Sequence, residues 1–100
     1  MIYAYKLVRV RRDGTLGPLF IDRGRVLKIG VWMTADAIRT PGYAYRPGWH
    51  ATAHKRAPHL SKKGRAWVRV ALRGVAEYRR PKAQGGLWYT AGHMRILRRI

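Results

Sequence analysis

The stretch Arg65-Ala66-Trp67-Val68-Arg69-Val70-Ala71-Leu72-Arg73 decides the fold class. Ala66, Val68, Val70 and Leu72 share one parity; Arg65, Trp67, Arg69, Ala71 and Arg73 share the other. Strand side chains alternate between faces, so the pattern predicts a half-buried strand, apolar inside and basic-aromatic outside. Arginine pairs with phosphate bidentately and stacks on bases, and Trp67 would add a stacking surface that tolerates any base. The competing reading is a solvated strand face with Trp67 packed under a loop.

Working outward, residues 2–11 alternate in the same way. Ile2, Ala4, Val8 and Val10 lie on one face; Tyr3, Tyr5, Leu7, Arg9 and Arg11 lie on the other. Asp13-Gly14 predicts a hairpin turn, because glycine accepts positive φ. Residues 15–21 would be the return strand, with Pro18 pushing it toward an edge or a bulge. Asp22-Arg23-Gly24 marks a second turn and residues 25–29 a third short strand, which together make a meander.

Residues 30–42 allow a strand through Val31-Trp32-Met33 or a helical turn from Thr34, stopped before Pro41-Gly42. Residues 43–52 read as extended, with a break at Pro47-Gly48. Pro58 limits a helical turn over 53–60. Past the central strand, 75–82 reads as a loop or short helix. Gln84-Gly85-Gly86 then turns into a last hairpin near 87–91 and 94–98. The expected architecture is one mostly β domain over residues 1–100. It consists of antiparallel hairpins with at most one or two short helices, and α+β is the alternative class.

The chain has 22 Lys+Arg against four acids in 100 residues, a net charge of +18. With 47% hydrophobic residues, four Trp and six Tyr, it is too apolar for a disordered basic tail. Self-repulsion at this charge points to a polyanionic partner, and nucleic acid leads because phosphates relieve it and release counterions. An acidic protein surface is the other candidate. A membrane is not expected, since no long amphipathic basic helix, lipidation motif or membrane-spanning apolar run is visible. No signal peptide is visible either, and a cytoplasmic location is expected. Residues 51–100 hold 13 Lys+Arg and one acid, so the binding face is expected there. Lys62, Lys63, Arg65, Trp67, Arg69, Arg73, Arg79 and Arg80 are the candidate nucleic-acid contacts. Further basic clusters fall at Arg9/Arg11/Arg12, Lys55/Arg56 and Arg95/Arg98/Arg99.

Catalytic and metal chemistry find little support. There is no cysteine, Ser61 is the only serine, and no phosphate-binding glycine loop or dinucleotide fingerprint is present. His50 and His54 have the i, i+4 spacing of a helical metal pair, but they follow Pro47-Gly48 and lack a third ligand. No metal or cofactor is expected. Trp49-His50-Ala51-Thr52 faintly resembles the strand that opens the NAD site of some ADP-ribosyltransferases, with Glu77 and Tyr78 or Tyr89 as conceivable helpers. Lys63-Gly64-Arg65-Ala66-Trp67-Val68-Arg69-Val70 partly follows the RNP1 pattern of RNA-recognition domains. Arg65 and Val70 occupy its outer aromatic positions, and the two helices of that fold have no counterpart.

The phrases Asp13-Gly14-Thr15-Leu16-Gly17-Pro18-Leu19-Phe20-Ile21, Pro47-Gly48-Trp49-His50-Ala51-Thr52, Ala57-Pro58-His59-Leu60-Ser61, Gly64-Arg65-Ala66-Trp67-Val68 and Gln84-Gly85-Gly86-Leu87-Trp88-Tyr89 extend over most of the chain. As a set they resemble a group of small uncharacterised bacteriophage and prophage proteins. The resemblance implies a phage origin and action in the host cytoplasm, and attaches no activity. In that group the strand after Gly64-Arg65 often alternates valine with glutamate, where this chain has Arg69 and Arg73. The basic face would then be a specialisation on a neutral scaffold. The leading expectation is a non-catalytic domain that binds nucleic acid or a nucleoprotein complex. The alternatives are an inhibitor of a host defence complex, of anti-CRISPR or anti-restriction type, and a small ADP-ribosyltransferase-like enzyme.

Overall fold

A computed structural model describes residues 1–19, 24–35 and 48–100. The Asp22-Arg23-Gly24 turn, the helical turn considered after Thr34 and the extended stretch before Gly48 lie largely outside the described residues. The strands are β1 (Ile2–Val10), β2 (Leu16–Gly17), β3 (Trp32–Thr34), β4 (Trp49–Thr52), β5 (Arg65–Arg79) and β6 (Leu87–Arg99). One 3-10 turn, Lys82–Gln84, is the only helical element among the described residues. The chain is mostly β and antiparallel, as expected.

The turn between β1 and β2 forms where Asp13-Gly14 places it. Gly14 takes φ +86°. The Thr15 amide and hydroxyl both donate to Asp13 Oδ1, at 2.9 and 2.7 Å. These bonds, the hydroxyl's first, hold the Asp13 carboxyl below its usual range. The return strand is only two residues long, because Pro18 has no N–H to extend the ladder. The Arg11 guanidinium takes over part of that work by donating to the carbonyls of Leu16 (3.0 Å) and Arg25 (2.9 Å). The third strand expected at 25–29 is reduced to two bridges, Leu16 with Leu27 and Ile29 with Ile96. The meander therefore gives way to a less local arrangement.

That arrangement is organised by a hairpin longer than expected. β5 runs on through the predicted loop to Arg79, and the predicted terminal hairpin is the single strand β6. β5 and β6 pair from Val68 opposite Arg99 to Arg79 opposite Leu87. Fifteen residues laid straight would span about 50 Å, against a longest molecular dimension of 34 Å. The hairpin must bend, and it does so at glycine. Pairing of Arg73 with His93 and Val75 with Ala91 sets Gly74 opposite Gly92, and Gly74 has φ +67°.

The inward face changes parity at this point. Val70, Leu72, Met94 and Ile96 enter the main core before the glycines, and Val75, Ala91 and Tyr89 after them. Tyr78 and Trp88 consequently turn to a second cluster on the outer side. A bulge adds a further bend: Arg69 faces Arg98 while Val70 faces Ile96, which leaves Leu97 as the extra residue.

The other edges close on one another. β1 pairs with β5 along Ile2–Arg9, and β4 pairs with β6 along Trp49–Thr52. β4 meets β1 at Tyr5 opposite Thr52. The ring β1–β5–β6–β4–β1 is thus complete, and the sheet forms a small barrel. Its radius of gyration is 12.6 Å, against about 13 Å for a compact domain of this length. The main core holds Ala4, Val8, Val68, Val70, Leu72, Met94 and Ile96, all at 0% exposure.

Two glycines bear on the closure. An alanine at Gly74 would meet only the Gly92 backbone, whose amide nitrogen lies at 3.6 Å, so the cost is left-handed backbone strain of about 1–2 kcal/mol. At Gly48, φ +108°, a Cβ would stand 2.8 Å from the Ala91 carbonyl oxygen of β6. Urea unfolding is expected to rank wild type above Gly74→Ala, and Gly74→Ala above Gly48→Ala.

Candidate nucleic-acid interface

Residues directly opposite in an antiparallel pair put their side chains on the same face. The outer face of β1, β5, β6 and β3 can therefore be read row by row. One row is Tyr5, Arg69 and Arg98; the next is Tyr3, Ala71, Arg95 and Trp32. The third joins Arg73, His93 and Thr34. Three arginine rows and three aromatic rings are brought together from strands distant in sequence.

The arginines lie along the aromatic rings. The Arg69 guanidinium sits 4.4 Å from the Tyr5 ring centroid and 5.9 Å from that of Tyr3. Arg73 sits 4.3 Å from the Trp32 ring. Such contacts contribute about 0.5–1 kcal/mol each at exposed sites. They hold the cations close to the sheet, with Tyr3 about half exposed (52%) and Arg73, Arg95 and Arg98 exposed. Arg69 faces Arg98 directly. Like charges in that relation are destabilising, so a negative charge placed over the row would relieve it.

The eight expected contacts divide. Arg69 and Arg73 are in this face. Lys62 and Lys63 are exposed in the loop before β5, and Arg65 is turned back onto the Ser61 carbonyl at 3.0 Å. Arg79 and Arg80 lie beyond the Gly74 bend at the far end of the hairpin.

Trp67 is a correction: it is 6% exposed and packs with Leu7, Ala57 and Trp88. Its outward parity is as expected, but Ala57 and Leu60 of the 53–64 loop cover it, so it offers no stacking surface. Sequence reasoning leaves Tyr3, Tyr5 and Trp32 out of the site, and sees Arg95 and Arg98 only as a charge cluster. Tyr3 and Tyr5 are legible as an exposed parity of β1, but nothing local shows that β1 lies beside β5.

Part of the remaining charge is structural. Lys6 is in phase with Ala4 and Val8, so it points inward, and its ammonium donates to the His50 carbonyl at 2.6 Å. This bond crosses the β1–β4 seam, where the two strands share a single register pair. Burial lowers the Lys6 pKa from 10.5 to about 8.

His50 and Glu77 do not converge. His50 pairs with Thr90, and Glu77 with Tyr89, whose ring packs on the main core beside Ala51. The two side chains leave opposite faces of the sheet, which removes the geometric support for an ADP-ribosyltransferase-like site. Among the described residues no three His, Asp or Glu gather as a metal site, and no helix is long and apolar enough to cross a membrane.

Two outcomes follow from these placements. Trp67→Ala is expected to lower stability by about 3–5 kcal/mol, as for a large core truncation; a folded variant defective only in binding would contradict this. For Lys6, the unfolded chain holds the proton above pH 8 more tightly than the folded one does. The cost of burying the charged lysine is therefore present in full below the folded-state value of about 8 and fades as pH rises toward 10.5. Comparing melts of wild type and Lys6→Met between about pH 8 and 10.5 isolates this from tyrosine titration. Wild-type stability relative to the variant should rise with pH across that window, because there the unfolded chain binds more protons. Comparisons with known protein families, curated proteins and solved structures find no match to this chain.

Proposed function

We propose that this protein is a non-catalytic nucleic-acid-binding domain whose contact surface is the outer face of β1, β5, β6 and β3. Arg69, Arg73, Arg95 and Arg98 would neutralise phosphates, and Tyr3, Tyr5 and Trp32 would hold the guanidinium groups in place and offer ring surface. The observation that carries this reading is the direct opposition of Arg69 and Arg98 within a face that also holds Arg73 and Arg95. Phosphates placed over this face would relieve the repulsion and release counterions. The face is a broad sheet rather than a helix that enters a major groove, which favours backbone contact and stacking over base-edge readout.

The test is binding to a generic duplex and a generic single strand across a salt series. Log K should fall with log salt by about 0.9 per phosphate on duplex DNA and about 0.7 on a single strand. Changing Arg69, Arg73, Arg95 and Arg98 together to Gln should reduce that slope by roughly one for each phosphate no longer neutralised. A flat salt response, or an unchanged slope in the variant, would refute the assignment. A partner retained from nuclease-treated lysate, with no affinity for either nucleic acid, would favour the protein-inhibitor reading instead.

A further inference from the structure

A separate cluster lies past the Gly74 bend. Tyr78 and Trp88 are direct partners across β5 and β6, with planes 26° apart and centroids at 6.4 Å. The Arg80 guanidinium lies 5.5 Å from each of these rings. His59, from the loop before β5, meets Trp88 edge-on at 6.0 Å. His50 Nδ1 is 2.9 Å from the Tyr78 hydroxyl. The sequence phrases around residues 49–52, 57–61 and 84–89 thus meet in one place, and the sheet interface uses none of them.

Arg80 is the unusual member. Its one side-chain hydrogen bond among the described residues is to Gln84 Oε1 at 3.5 Å, beyond good geometry. Its Nε is buried and has no partner among the described residues. Leaving a buried guanidinium N–H unsatisfied is costly, and native structures seldom do so without a reason. Glu77, the one acid in residues 51–100, leaves the opposite face of the sheet. Arg79 shares the face of Glu77, while the other charged side chains that flank the cluster in sequence, Lys55, Arg56 and Lys82, are exposed and all positive. These charges all favour an anion, and the rings of Tyr78 and Trp88 fix the guanidinium that would receive it.

We propose that Arg80 and His59 form a discrete binding site for the phosphate-type oxyanion group of a ligand, separate from the sheet interface. Arg80 is the main donor, with the planar geometry that phosphate pairs best. His59, exposed at the rim, supplies a second donor once protonated. Tyr78, hydrogen-bonded to His50, and Trp88 position the guanidinium. Desolvation first, and Arg80 second, lower the His59 pKa in the free protein. A bound oxyanion would offset the Arg80 charge and raise it.

The experiment titrates inorganic phosphate against the protein at constant ionic strength, following the His59 imidazole by NMR. A saturable shift with a rise in the His59 pKa is expected. Arg80→Gln should weaken phosphate binding by about ten- to a hundredfold, the range of a single charged hydrogen bond. A protein carrying Arg69→Gln and Arg73→Gln should bind phosphate like wild type. If Arg80→Gln does not fold, His59→Gln, at an exposed position, serves in its place; its binding is followed by the indole signals of Trp88, against which His59 packs, and should also be weaker.

A non-saturable shift, wild-type binding by Arg80→Gln or His59→Gln, or loss in the Arg69/Arg73 variant would overturn the proposal. Competition in that double variant distinguishes the sources of the group. Displacement by a 5′-phosphorylated oligonucleotide but not by its 5′-hydroxyl counterpart supports the site as one for a strand end. Displacement by AMP alone supports it as one for a small phosphorylated molecule, and displacement by neither overturns it.

Discussion

The change of pleat at Gly74 and Gly92 is the constraint on which the rest of the structure depends. A hairpin of this length cannot stay in one plane within so small a molecule. With two glycines opposite each other, both strands bend together and exchange their inner and outer faces. Before the bend, β5 presents Arg69 and Arg73 outward. Beyond it, Tyr78 and Trp88 take the outer side while Val75, Tyr89 and Ala91 continue the core. One backbone feature thus separates a basic sheet face from an aromatic-cationic cluster on the same pair of strands. It also brings β6 round to β4, and so closes the barrel.

The positive charge serves several distinct ends. Lys6 and Arg11 direct their donors to backbone carbonyls at the two places where strand pairing is thin, the β1–β4 seam and the short β2. Arg25 adds a bond to the Thr34 carbonyl at 3.1 Å and lies over the Trp49 ring. Arg69 and Arg73 rest on aromatic rings, where the ring quadrupole attracts a cation without neutralising it. Arg69 and Arg98 face each other and are mutually repulsive. Net charge alone cannot distinguish these uses, because a carbonyl cap and a phosphate contact draw on the same residue type.

How far the sequence can be read varies with the range of the interaction involved. Strand β1, the Asp13-Gly14 turn and the start of β5 are legible, since each rests on period-two alternation or on one residue's backbone preference. Gly74 reads as the end of a strand, because a glycine in a bend and a glycine in a loop look alike without their cross-strand partner. Alternation gives Trp67 the correct parity and the wrong environment, since the loop that covers it lies several residues away and carries no pattern. Arg95 and Arg98 are visible as charges, but their place beside Arg69 depends on pairing across a bulge at Leu97.

By itself, then, the sequence determined the class of the fold, the large excess of positive charge and the outward parity of the arginines on β5. Those properties follow from composition and from the alternation of adjacent residues. Only the tertiary structure decided which cations lie together, that Trp67 is core, and that Arg80 sits beside two rings with a buried N–H that has no partner among the described residues. The reason is that strand pairing is non-local. A face made from β1, β5, β6 and β3 draws on residues from both ends of the chain, and its composition is settled by register and by the bend at Gly74.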